Sequence, residues 1–154
     1  MSYEKFIHEF LGKGLLKKQK TNFRAIQKLM TRAHRDLKTA KANLSIDEGI
    51  AYTIAYLAML RAGRAVMLLR GFRPANGYQH KTVVEFMGYV LGKEFKAMVE
   101  RFDKMRKKRN VFTYDVSISI SKVEANNALN TAVRFVYLTD DIIKKQNPQT
   151  EFKS

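Results

Sequence analysis

Cysteine is absent from the 154 residues. Disulfide frameworks, thiolate zinc sites, iron–sulfur clusters and cysteine nucleophiles are thereby excluded, and a reducing cytosol suits the chain. Proline is confined to Pro74 and Pro148, each just beyond the end of a predicted helix. Acidic residues are scarce: 14 Asp and Glu stand against 29 Lys and Arg, giving a net charge of +15 and a pI near 10.1. Uninterrupted apolar runs are also missing. The longest mostly apolar stretch, Ile50 to Leu69, contains Arg61 and Arg64 and is patterned for one buried face, which argues for a core helix and against a membrane span. The first residues mix Glu4, Lys5, His8 and Glu9 with apolar side chains, so they lack the apolar segment of a secretory signal, and we expect a cytoplasmic protein. No Ser-His-Asp set, P-loop, dinucleotide glycine fingerprint or HExxH helix can be read, and His8, His34 and His80 lie far apart. Neither a metal nor a cofactor is expected.

What is present is helical periodicity with a basic exterior. From Asn22 to Leu44, Phe23, Ile26, Met30, Ala33, Leu37, Ala40 and Leu44 recur at steps of three and four, the spacing of one helix face. Arg24, Lys28, Arg32, Arg35, Lys38 and Lys41 fill the outer face, with Asp36 almost its only acid and His34 expected in solvent. Ser45 or Asp47 can cap the next helix, which extends to about Arg70. Its Ala58, Ala62 and Ala65 form a small-residue face that permits close approach of a neighbour. Gly71 supplies a left-handed stop, and Ala75, Asn76 and Gly77 mark a loop.

Lys81 to Leu91 and then Phe95 to Met105 read as two further helices separated by Gly92, the second closing on the cations Arg106, Lys107, Lys108 and Arg109. VFTYDVSISIS, residues 111–121, alternates like a strand but has no partner strand, so an ordered loop is expected. Ser121 and Glu124 make a capping box for a last helix that ends before Pro148. The pattern predicts an all-α, antiparallel up-and-down bundle of about five helices forming one domain over residues 1–154. Residues 1–20 form an N-terminal extension in which Tyr3, Phe6, Ile7, Phe10 and Leu11 could make a short helix that packs on the bundle or on a second protomer.

Two places could carry chemistry. His80 and Lys81 begin a helix after a glycine-containing loop, where they could meet a phosphate near free backbone amides; a helix-start histidine bonded to backbone is the alternative. The denser signal is MRKKRNVFTYD, residues 105–115, in which Arg106, Lys107, Lys108, Arg109 and Asn110 contain no acid, so an anion would relieve their repulsion. Asp115 and Glu124 are the nearest acids that could orient these cations. Arg109 could instead close a helix end while Tyr114 packs its ring.

The run AYTIAYLAMLRAGRAVMLLRGFRP, followed by RKKRNVFTYD and the segment ISKVEANNALNTAVRFV, resembles the HEPN family of higher eukaryotic and prokaryotic nucleotide-binding domains, over about residues 20–145. The resemblance implies a four- or five-helix bundle that dimerises and carries a polar cleft near its dimer interface. Many relatives are metal-independent ribonuclease toxins whose signature is an arginine, often with a polar residue after it, followed after about four to six residues by a histidine. Arg109 and Asn110 match the start of that signature, but Tyr114 stands where the histidine would be, as in relatives encoded beside small nucleotidyltransferases. A tyrosine of ordinary pKa near ~10 supplies little base at neutral pH.

The expected function is therefore a nucleotide- or RNA-binding homodimer within a toxin–antitoxin or nucleotidyltransferase-linked module, with no membrane partner. Arg106, Lys108, Arg109, Asn110, Tyr114, Asp115 and His80 are its candidate phosphate- and nucleotide-binding residues. The alternatives are a metal-independent endoribonuclease, with Arg109 stabilising phosphorane charge and Tyr114, Asn110 or His80 moving protons, and a structural interaction domain.

Overall fold

The structure is a computed structural model that describes residues 1–75 and 79–148. Its helices are α1 (Tyr3–Gly12), α2 (Phe23–Asn43), α3 (Glu48–Leu69), α4 (Gln79–Leu91), α5 (Lys96–Tyr114) and α6 (Lys122–Gln146), with a 3₁₀ turn at Lys93–Phe95 leading into α5. Strands β1 (Leu16–Lys18) and β2 (Phe72–Pro74) pair antiparallel, Leu16 opposite Pro74 and Lys18 opposite Phe72. The expected all-α bundle is present, with six α-helices among the described residues rather than about five, because the N-terminal extension is itself a helix. The expected loop at Asn76 and Gly77 lies outside the described residues.

The buried stripe of α2, Ile26, Met30, Ala33, Leu37 and Ala40, follows the sequence periodicity. Packed between α2 and α6, and touching α4 and α5 as well, α3 is buried nearly all round. By length and composition alone it could cross a membrane, yet most of that apolar stretch lies inside the bundle. Ala58, Ala62 and Ala65 are fully buried. The small-residue face is thus the close-packed seam of α3 within this chain and offers nothing to a second copy. A Cβ on Gly63 would stand 2.5 Å from Val83 Cγ1, and one on Gly49 would strike the Phe112 ring, so both glycines are needed for α3 to meet its neighbours.

The caps are as the sequence indicates at two helix starts. Asp47 accepts from Ile50 N, and Ser121 and Glu124 form the reciprocal capping box of α6. Gly71 has φ +87°, in the left-handed region expected of a helix stop. The N-terminal segment packs on this chain: Phe6 is fully buried, stacked on Tyr89 of α4 at 4.5 Å. Burying such a ring stabilises by roughly 1.5–3 kcal/mol.

Asp36 and His34 depart from the expected outer face of α2. Asp36 is buried and ion-paired with Arg61 of α3, with Arg32 at 3.3 Å. His34 is mostly enclosed and places Nε2 2.7 Å from Asp140 Oδ2 of α6. A partner more than a hundred residues away removes it from solvent, and nothing in its local charged neighbourhood announces that partner.

Candidate anion site

The cationic run does not close a helix. It lies in the interior of α5, which continues to Tyr114, so the expected loop begins only at Asp115. The repulsion that would end a helix there is offset along the run. Asp103 takes Arg106 at 2.9 Å and Lys107 at 3.2 Å, while Lys108 reaches Glu124 of α6 at 2.9 Å. Thr113 Oγ1 donates back to Arg109 O at 2.7 Å, and Phe112 lies against Gly49, so the last turn is held by α3 as well.

Below this run α5 buries Met98, Phe102 and Met105. Arg106 and Arg109, three residues apart and therefore on one face, continue that stripe toward α3 and α4. Their charges act on Tyr56 of α3 and on His80 in the first turn of α4, and Arg64 of α3, two turns beyond Tyr56, acts on the same two groups. Tyr56 Oη and His80 Nδ1 are 2.9 Å apart, and Arg64 Nη2 donates to Gln79 Oε1 at 2.7 Å. Arg109 Nη1 reaches Asn110 Oδ1 at 3.4 Å, the outer limit of a hydrogen bond. The Nε atoms of Arg64 and Arg109 are buried with no hydrogen-bond partner among the described residues. Arg64 also borders a groove of about 450 Å³ lined by Leu29, Leu68, Phe72 and Gln79 among others, which opens this side of the cluster to solvent.

Burial and the nearby positive charge of Arg109, Arg64 and Arg106 hold His80 below its usual pKa. Burial raises Tyr56 well above the usual phenol range, although the same three arginines oppose the shift. Arg64 is lowered, chiefly by burial. At neutral pH the phenol therefore keeps its proton and the imidazole is uncharged. Tyr56 is fully buried, and its only acceptor among the described residues is His80 Nδ1, so the ring hydrogen belongs on Nε2. The result is three guanidiniums and a neutral imidazole donor, set against the single carboxylate of Asp103, which already serves two cations. Such an arrangement favours a small, multiply oxygenated anion.

The structure thus brings together Arg106, Arg109, Asn110 and His80 of the sequence-selected residues. His80 is bonded to a side chain, Tyr56 Oη, rather than only to backbone. Tyr114 is 88% exposed at the end of α5 and lies five residues beyond Arg109, toward a different face of the helix. Asp115 is exposed and accepts from Ser117 N and Oγ at 3.0 and 2.6 Å; it is paired with no cation among the described residues. Lys108 is engaged with Glu124. Sequence reasoning missed Tyr56, Arg64, Gln79 and Asp103. The available signal was an arginine within the most apolar helix, two turns after a tyrosine, which read only as an interruption of a core face. Among the described residues no three His, Asp or Glu side chains are grouped to hold a metal ion.

Against known proteins, the HEPN domain matches residues 26–142. No curated protein and no solved structure matches the chain.

Proposed function

Since the chain belongs to the HEPN domain family, we propose that it binds RNA or a nucleotide by a phosphate seated among Arg64, Arg106, Arg109 and His80. The observation that carries this reading is the convergence of three guanidiniums around an uncharged imidazole, of which Arg106 alone has a carboxylate partner among the described residues, Asp103, itself shared with Lys107. Arg109→Ala should weaken binding of a ribonucleotide about ten- to a hundredfold, the loss expected for a charge-assisted contact, while leaving the thermal midpoint nearly unchanged. Isothermal titration and circular dichroism measure the two. Unfolding by Arg109→Ala with no separate loss of affinity would mean that the arginine serves only the fold.

A second reading, metal-independent RNA cleavage, draws on the placement of His80 and Tyr56 beside Arg109, which supplies a histidine from α4 where the α5 motif has tyrosine. Incubating the protein with RNA in chelator separates the readings, because only an enzyme shortens the RNA. Homodimerisation, a cytoplasmic location and membership of a toxin–antitoxin or nucleotidyltransferase-linked module complete the proposal. They rest on the family and on the basic, cysteine-free composition. With the alanine face of α3 buried, the exposed Val111, Val116 and Val123 around the α5–α6 junction are the candidate contact for a second copy. Light scattering at about tens of micromolar tests it, a range where an interface of modest affinity is populated.

A further inference from the structure

Sharing no residue with the arginine cluster, α2 and α6 line a groove of about 410 Å³. Its floor is apolar, from Leu37, Leu129 and Val133. On one wall Tyr137 is 57% exposed, its ring edge-on to His34 at a centroid distance of 5.4 Å. His34 is held by the buried Asp140 carboxylate at 2.7 Å, so the surface against which Tyr137 rests is itself fixed. Lys38 and Lys41 from α2 line it as well, with Asp141 and Lys144 from α6, so cations outnumber the one further carboxylate.

The outer cations of α2, Arg32 apart, differ from the 106–108 run of α5 in one respect. On α5, Arg106, Lys107 and Lys108 have carboxylate partners. Along the outer face of α2, Arg24, Lys28, Arg35, Lys38 and Lys41 are exposed and have no ion-pair partner among the described residues. Uncompensated cations beside an exposed ring over an apolar floor are what a single nucleic-acid strand needs: a π-face for a base and point charges for the phosphates on either side. A duplex would gain only the charges, since its bases are already stacked.

We propose that the α2–α6 groove is a second nucleic-acid subsite, in which one unpaired base of a single strand stacks on Tyr137 while its flanking phosphates lie on Lys38 and Lys41. This inference rests on the nucleic-acid reading of the family but not on the arginine cluster. It moves the strand's electrostatic contacts from the paired 106–108 run to the unpaired outer face of α2.

The test uses the full chain with a short fluorescent oligouridylate, and a mononucleotide as probe of the arginine cluster. Tyr137→Ala should weaken oligonucleotide binding about tenfold, in keeping with the loss of one stacked base, and leave the salt slope unchanged. Tyr137→Phe should bind nearly as the parent does. Lys38→Ala with Lys41→Ala should flatten the log–log salt slope by about 1.4, near 0.7 for each phosphate released on a single strand. None of these changes should alter mononucleotide binding. Oligonucleotide binding indifferent to Tyr137→Ala and to the lysine pair, but lost in Arg109→Ala, would overturn the groove and leave the arginine site standing. Mononucleotide binding without any oligonucleotide binding would do the same. Failure of both probes would overturn both. Circular dichroism melts confirm that each variant is folded, as the exposure of the three side chains leads one to expect.

Discussion

Tyr56 and His80 owe their states to where the chain puts them. The folded pKa of His80 lies below the usual 6.5, so the native state prefers the neutral ring. Its contribution to stability is fully present above about pH 6.5 and is lost as pH falls through that value toward the folded pKa. The thermal midpoint of the parent should therefore fall more between pH 7 and pH 5 than that of His80→Gln. An anion among Arg64, Arg106 and Arg109 would offset the charge that depresses His80, so ligand and proton should bind cooperatively. With a phosphodiester probe, whose own charge is constant in this range, affinity should rise from pH 7 to pH 5 in the parent and stay flat in His80→Gln. A flat profile in both would detach His80 from the ligand. At this scale the sequence was half legible. Arg106, Arg109 and His80 stand out by type and setting, whereas Tyr56 and Arg64 are hidden because a polar group inside an apolar helix acquires meaning only from what the neighbouring helix brings. His34 reads as a solvent-facing residue for the same reason, since Asp140 is remote in sequence.

Helices proved more readable than helix ends. The stripe of α2 and the capping box of α6 are local patterns and appear where they are expected. A run of four cations resembles a dipole-favoured terminus and so points to too early an end for α5, while the pairs that allow the helix to continue come from Asp103 and, through α6, Glu124. The three-residue strands β1 and β2 are too short to show alternation and pair across two intervening helices, so no local signal exists for them. The α3–α4 contact offers a direct test of packing. Gly63→Ala gains at most about 1 kcal/mol of helix propensity, but forces Val83 aside, and overpacking of this kind costs about 1–3 kcal/mol. The urea midpoint should fall. Val83→Ala, destabilising alone, should cost less in the Gly63→Ala background, and strict additivity in the double-mutant cycle would refute the contact.

For the whole molecule, +15 on 154 residues makes salt act in two directions. Screening relieves self-repulsion in the folded state and weakens attraction to phosphates. Added salt should thus raise the thermal midpoint of the free protein while steeply reducing its affinity for RNA, measurable by scanning fluorimetry and anisotropy on the same samples. A midpoint that falls with salt would show that paired charges, not repulsion, dominate the surface. The clasp made by β1 and β2 matters at this scale as well. Gln19 N bonds to Gly71 O at 2.9 Å, Thr21 Oγ1 donates to Leu68 O at 3.1 Å, and Phe6 stacks on α4, so the first two dozen residues fasten the link between α3 and α4 from outside. Closing this chain loop costs conformational entropy that the few bonds of the clasp must offset. Local opening of the clasp would release the first turn of α4, and with it Gln79 and His80, without melting the bundle. Amide exchange at Gln19 and Ala75, whose N–H groups donate across the clasp to Gly71 O and Leu15 O, should then run ahead of the core of α3, and a ligand seated at the arginines should slow exchange in an arm that it does not touch.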